Sequence, residues 1–253
     1  MGISLKSKLL NGEKVVGVII GDYSPSMVEV IGHVGFDFVF IDDEHGAFSY
    51  SELENMVRAA DAVNLTPIVR ASYDASSIQK VLDRGAKGIH VPMVNTKEDA
   101  ERVVQSAKFP PSGKRGAAYY IRAAQYGKLS GTDYLEHANN ETLVIVHIET
   151  PQAVENFEEI MSVPGIDMAF IGATDLAVSM GYPDGPDHPE VQKVIQGLFE
   201  KGREQGVLLG AVAGSSKEVK RELERGANYV LVVGTSIISK ALTEVLDASK
   251  SSR

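Results

Sequence analysis

The stretch Phe38-Val39-Phe40-Ile41-Asp42-Asp43-Glu44-His45 sets the pattern of this chain: four apolar residues, an abrupt run of acids, and an imidazole. Residues 51–63 follow with apolar side chains at three- and four-residue spacing. A short run rich in Val, Ile and Phe reads as a buried strand, and the three/four spacing reads as an amphipathic helix. Their succession is the signature of a βαβ unit. Working outward, equivalent apolar runs occur at residues 15–20, 67–69, 88–91, 143–148, 168–171, 207–212 and 229–233. Helical spacing recurs between or after them at 76–84, 97–107, 152–161, 189–205, 217–225 and 236–248. Eight strands with helical stretches recurring between them predict an α/β fold, a single (β/α)8 TIM barrel over residues 1–253. Punctuation agrees, because Arg84-Gly85-Ala86 and Arg225-Gly226-Ala227 each close a helix on glycine and lead into a strand. One long irregular stretch, residues 109–131, carries Tyr119, Tyr120 and Arg122 and reads as a lid or a subunit contact.

Composition narrows the function. The formal net charge of −9, with no basic cluster, argues against nucleic acid or an anionic membrane as partner. There is no cysteine, so disulfides, thiolate nucleophiles and thiolate zinc sites are excluded together. Any metal must be held by oxygen or imidazole. No apolar run is long enough to span a bilayer, and the first residues lack the features of a secretory signal, so a cytoplasmic enzyme is the expectation.

In this fold the active site lies at the carboxyl ends of the strands, which makes the residue ending each run the informative one. The second run leads into Asp42, Asp43, Glu44 and His45, the third into Arg70, the fifth through His147 to Glu149, and the sixth into Gly172-Ala173-Thr174-Asp175. A carboxylate buried after an apolar strand is costly unless something positive offsets it. For Glu149 and Asp175 a hard divalent cation would do so, Mg²⁺ or Mn²⁺ suiting oxygen ligands better than zinc. The competing reading is that each carboxylate caps the helix behind it. Arg70 offers a guanidinium to a carboxylate or a developing enolate oxygen, or else forms a salt bridge across the barrel top. His45 is the candidate base, since imidazole titrates near neutrality, and Asp83 is its candidate partner or a solvated helix residue. No strand ends in lysine, and Lys87 precedes its strand, which disfavours Schiff-base chemistry.

An ordered set of segments then carries a family resemblance. They are Phe36-Asp37-Phe38-Val39-Phe40-Ile41-Asp42-Asp43-Glu44-His45, Pro67-Ile68-Val69-Arg70, Val91-Pro92-Met93-Val94, Pro110-Pro111-Ser112-Gly113-Lys114-Arg115-Gly116, Ile148-Glu149-Thr150 and Phe170-Ile171-Gly172-Ala173-Thr174-Asp175-Leu176. In these the sequence resembles the HpcH/HpaI aldolases, class II pyruvate aldolases that act on 4-hydroxy-2-keto acids. The resemblance implies Glu149 and Asp175 as metal ligands, with Mg²⁺, Mn²⁺ or Co²⁺ as the metal and no organic cofactor. It implies His45 as base oriented by Asp83, Arg70 on the keto acid and its enolate, and Asp42 and Glu44 as supports behind them. Gly172, Thr174 and Asp175 would hold the pyruvate carboxylate on backbone amides, and Val212 would border the aldehyde pocket. Family members are similar in being hexamers whose C-terminal helices pack on neighbouring barrels. Two positions depart from the pattern: His147 stands where the family often has Gln, and Gly172-Ala173-Thr174-Asp175 replaces Gly-Pro-Ala-Asp. Rival readings are a CoA-ester lyase of the citrate or malyl type, a phosphosugar isomerase using Gly214-Ser215 and Gly234-Thr235 as a phosphate cradle, and a binding protein without turnover.

Overall fold

The strands come out where the apolar runs lie. They are β1 (Val15–Ile20), β2 (Phe38–Asp42), β3 (Thr66–Arg70), β4 (Gly88–Val91), β5 (Leu143–Ile148), β6 (Met168–Ile171), β7 (Leu208–Ala213) and β8 (Tyr229–Val233) in a computed structural model that describes residues 3–250. Each is parallel to its neighbours, and β8 pairs with β1 through Val15 opposite Tyr229 to close the barrel. The predicted (β/α)8 barrel is the fold.

Alternation along each strand divides the chain into two apolar layers. Phe38, Phe40, Ile68, Leu143, Ile145, Met168, Phe170, Tyr229 and Leu231 point inward and fill the barrel. Val39, Ile41, Val69, Ile89, Val144, Val146, Ala169, Ile171, Val230 and Val232 point outward against the helices. The helices between strands are α2 (Pro25–Val34), α3 (Tyr50–Ala62), α4 (Ala75–Asp83), α5 (Lys97–Ala107), α6 (Gly131–Glu141), α7 (Pro151–Glu155), α8 (Phe157–Met161), α9 (Ala173–Ser179), α10 (Pro189–Gln205) and α11 (Ser216–Arg225). The expected helix at 152–161 is thus two pieces meeting at Asn156, which serves as C-cap of α7 and N-cap of α8. Gly85 and Gly226 have φ of +100° and +124°, the left-handed geometry that ends α4 and α11 as the sequence implied.

Two helices flank the barrel in sequence. The first, α1 (Leu5–Leu10), puts Leu5 and Leu9 into the inner core beside Val15 and Phe38, so it plugs the amino-terminal end of the barrel. Ion pairs from Lys6 to Asp167 (2.7 Å) and Lys8 to Asp37 (2.8 Å) pin it there. The last, α12 (Gly234–Lys250), leaves Ile237, Ile238, Leu242, Val245 and Leu246 exposed along one face. Among the described residues no helix is long and apolar enough to cross a membrane.

Within the chain the irregular stretch does not cover the barrel mouth. Arg122 donates to the carbonyl of Arg84 (3.2 Å) and to Asp61 (2.5 Å), both at the ends of helices that run back toward the amino-terminal face. Phe109, Ala124 and Tyr134 build a small core of their own there, with Tyr119, Ile121 and Leu129 around it. That packing lies at the opposite end of the barrel from the strand carboxyl ends.

Candidate active site

At the end of β2, the Asp42 carboxylate does two things. Its Oδ1 accepts from the amides of Glu44 (3.2 Å) and His45 (3.4 Å), turning the chain sharply. It also takes a two-point hydrogen bond from Arg70, with Nε at 2.8 Å from Oδ1 and Nη2 at 2.6 Å from Oδ2. Strand register makes this possible, because Asp42 and Arg70 are direct partners on β2 and β3. Arg70 Nη1 meets Glu44 Oε2 at 2.9 Å, so the guanidinium is held from two sides. The salt bridge read from the sequence is therefore present, and it aims the guanidinium at the barrel mouth. Burial pushes the Asp42 carboxyl up, but Arg70 and the two amides outweigh it and hold it below the usual carboxylate range. The adjacent Asp43, desolvated and facing the Asp42 charge, is pushed up to about 6.

Glu149 sits one residue beyond β5 and is only 3% exposed. Its Oε1 accepts from the Met93 amide at 2.7 Å, and its Oε2 meets His147 Nδ1 at 3.0 Å. Met93 has φ +57°, a conformation that turns its N–H toward the carboxylate. Gly172 is required opposite, since a Cβ there would stand 2.5 Å from Glu149 Oε2. Burial pushes Glu149 up, but the hydrogen bonds from His147 and Met93 together with the Arg70 charge hold it below the usual range. Asp175 lies in the first turn of α9, exposed, and among the described residues its carboxylate has no hydrogen-bond or ion-pair partner.

Neither acid caps a helix. Thr150 caps α7 by accepting from the Ala153 amide, and α9 starts at Gly172 with no side-chain cap. This leaves the first-turn amides around Thr174 and Asp175 without a side-chain acceptor. Among the described residues no three His, Cys, Asp or Glu side chains converge as a closed metal cage. The donor set offered is two carboxylates, one buried and one exposed. A hard cation that keeps several waters or takes substrate oxygens fits that set; a tetrahedral zinc centre does not.

His45 is at the mouth with a side chain 71% exposed, its Nε2 3.9 Å from Glu44. Asp83 is not its partner within the chain. It ends α4, at the amino-terminal face, where Arg115 Nη2 binds it at 2.7 Å. Val212 points into the barrel against the inner core and is partly exposed at the mouth.

Sequence reasoning passed over three groups in this neighbourhood. His90, in the middle of β4, lies with Nδ1 3.0 Å from His147 Nε2 and Nε2 3.0 Å from the Tyr229 hydroxyl, and both residues are fully buried. The third is the Met93 amide. Strand parity was the available signal for the first two: His90 is the register partner of Arg70, and Tyr229 faces inward from the start of β8. Burial first, then His147 and Arg70, push His90 far below the imidazole range, and burial pushes the Tyr229 phenol up. A buried lysine also exists, Lys108, lowered to about 8 chiefly by burial. It donates to the carbonyls of Asn139 (2.6 Å) and Thr142 (2.7 Å) ahead of β5, at the wrong end for imine chemistry.

The chain matches known proteins along almost its whole length. Residues 16–238 match the family model of HpcH/HpaI aldolase/citrate lyase. The chain is 36% identical over 249 residues to a 2-keto-3-deoxy-L-rhamnonate aldolase of Klebsiella pneumoniae, covering 97% of this chain and 92% of the relative. Among solved structures it is similar to an HpcH/HpaI aldolase/citrate lyase family protein from Burkholderia cenocepacia, with TM-score 0.92, 30% identity, and 97% and 98% of the two chains covered. It is similar also to the citrate synthase SbnG, with TM-score 0.87, 33% identity and 98% of each chain covered. A barrel whose strand ends gather an anchored arginine, a buried glutamate and an exposed aspartate, matched along almost its whole length, belongs to the HpcH/HpaI aldolase/citrate lyase family of carbon–carbon lyases.

Proposed function

We propose that this protein catalyses reversible aldol cleavage of 4-hydroxy-2-keto acids to pyruvate, or a similar 2-keto acid, and an aldehyde, with a divalent metal held by Glu149 and Asp175. The observation that carries the reading is Glu149: a carboxylate 3% exposed that is fixed by the Met93 amide and His147, with an Asp175 unpartnered among the described residues on the neighbouring strand-to-helix turn. A bound divalent cation would supply a Lewis acid for the keto oxygen. The chain's own groups do the rest. Arg70 spends two of its five N–H groups on Asp42 and meets Glu44 with Nη1, which fixes its plane so that the remaining edge can face negative charge developing on the enolate oxygen. The first-turn amides of α9 at Thr174 and Asp175 receive the substrate carboxylate. His45, exposed at the mouth, takes the proton from the methyl carbon of the 2-keto acid in condensation and returns it in cleavage. Val212 borders the space left for the aldehyde.

The test is a retro-aldol assay over several 4-hydroxy-2-keto acids with Mg²⁺, Mn²⁺ and Co²⁺, following release of pyruvate. Chelator should abolish turnover, and borohydride added with substrate should trap no adduct. A lysine adduct, or full activity in chelator, sinks the reading. One rival keeps support: the likeness to a citrate synthase favours carbon–carbon bond formation with a CoA ester, and inclusion of acetyl-CoA and oxaloacetate in the assay distinguishes it. The phosphosugar reading loses support, since the Gly214 amide and Ser215 hydroxyl are bound by the Glu218 carboxylate at 2.7 and 2.8 Å, where a phosphate would meet a negative charge.

The working form of the protein is a homo-oligomer, a hexamer by its family. The exposed apolar face of α12, with Ile237, Ile238, Leu242, Val245 and Leu246 all open to solvent in the single chain, supports this. Light scattering that returns a monomer at micromolar concentration would count against it.

A further inference from the structure

The buried chain Tyr229–His90–His147–Glu149 crosses the barrel interior with three contacts of 3.0 Å each. Its hydrogen-bond direction follows from bookkeeping alone. The Tyr229 hydroxyl has no exposure and, among the described residues, no hydrogen-bond partner but His90 Nε2. A buried hydroxyl proton without an acceptor is costly, so Tyr229 donates and His90 Nε2 accepts. His90 then carries its proton on Nδ1 and donates to His147 Nε2. His147 in turn carries its proton on Nδ1 and donates to Glu149 Oε2. A doubly protonated His147 would reverse the two inner bonds and strand the Tyr229 proton. Apolar rings fill the surroundings: Phe40 and Phe170 pack edge-on against His90, at 4.7 and 5.1 Å between centroids.

We infer that Tyr229 and His90 are positioning residues that act on Glu149 through His147, setting a single ring tautomer so that a donor always faces Glu149 Oε2 and its carboxylate stays turned toward the barrel mouth. This deepens the proposed function and rests on it for the consequence, since the oriented carboxylate is the proposed metal ligand. The second hydrogen bond, from the Met93 amide to Oε1, fixes the other oxygen, so the carboxylate has one orientation only. An amide at position 147 would donate without any relay behind it. The imidazole needs its far nitrogen satisfied, and His90 and Tyr229 do that. Support of this kind behind a metal ligand is worth about 10–100-fold in metal affinity or activity.

Two measurements test it. In protein labelled with ¹⁵N at histidine, the ring nitrogens of His90 and His147 should both report the neutral Nδ1–H tautomer. An Nε2–H tautomer or a doubly protonated ring at either position overturns the inference, whether or not the protein proves to be an aldolase. The second measurement is a double-mutant cycle read by Mn²⁺ affinity in titration calorimetry, and by kcat and KM separately. Tyr229→Phe should weaken Mn²⁺ binding by about tenfold or more and lower kcat, with KM moving less. In a His147→Gln background the same substitution should cost less than about twofold, because the Gln amide donates to Glu149 unaided. An equal loss in both backgrounds would mean that Tyr229 acts through packing, and would refute the relay. If the tautomers and the coupling are found without aldolase turnover, the proposed reaction fails and the relay stands.

Discussion

Glu149→Gln should lower retro-aldol turnover by at least about 10²–10³-fold, the equivalent of several kcal/mol of lost transition-state stabilisation. The substitution changes almost no volume and removes one charge. It also disturbs a site in which two donors, the Met93 amide and His147 Nδ1–H, converge on two acceptor oxygens. A carboxamide has one acceptor oxygen and one donor nitrogen, so one of the two N–H groups meets another donor whichever way the amide is turned. Leaving a buried donor unsatisfied costs about 1–3 kcal/mol, so the melting temperature should fall by several degrees while the barrel remains folded by circular dichroism. A Glu149→Gln protein with undiminished turnover would remove Glu149 from the reaction and leave it a purely structural acid.

The second large effect is at Arg70, where catalysis and stability are separable. Arg70→Ala should lower kcat/KM by about 10²–10³-fold through loss of the group facing the enolate oxygen. It should also destabilise the fold by about 3–5 kcal/mol, because Asp42, 6% exposed, loses its cationic partner. In the native protein Arg70 and two amides hold the Asp42 carboxyl below its ordinary value against burial. Its contribution is therefore full above the unfolded carboxyl pKa near 4, and is lost as pH falls through the folded value. Without Arg70 burial dominates and the carboxyl moves up, so the variant's deficit should be greatest at neutral pH and shrink as acid protonates Asp42. Urea unfolding at pH 7.5 and 4.5 reads this directly, and an equal deficit at both would contradict it. Adding Asp42→Asn to Arg70→Ala should restore much of the stability and none of the activity, while Arg70→Lys, which cannot make the two-point contact, should fall between the native protein and Arg70→Ala on both measures.

The elements least legible in the sequence have physical reasons for it. Helix α6 buries only Tyr134 of its eleven residues, so no apolar stripe marks it. Helix α1 is six residues long, too short to stand alone, and is held by tertiary contacts: Leu5 and Leu9 plug the barrel, and Lys6 and Lys8 pair with Asp167 and Asp37. The stretch from Phe109 onward carries aromatic and arginine side chains suited to a lid. Phe109, Tyr119, Arg115 and Arg122 pack instead on the amino-terminal face, where Asp61, Asp83 and the Arg84 carbonyl give the two arginines their partners, while Tyr120 stays exposed. Asp83 goes with them, since a helix returning antiparallel to its strand carries its last residue to the far end of the barrel.

Local order was enough for the barrel and for the strand-end groups. Apolar runs such as Phe38-Val39-Phe40-Ile41 mark strands through their β-forming, buried character, and the fold places whatever follows them, Asp42, Arg70, Glu149 or Asp175, at one mouth. Those are short-range properties that a single sequence carries. Which groups join hands inside the barrel depends on closure and register instead. His90 and His147 are separated by 57 residues, and His90 and Tyr229 by 139, yet each pair meets at 3.0 Å because eight staggered strands turn their alternate side chains onto one axis. The sequence shows a histidine inside an apolar run; only the closed sheet decides that it has a second histidine on one side and a phenol on the other.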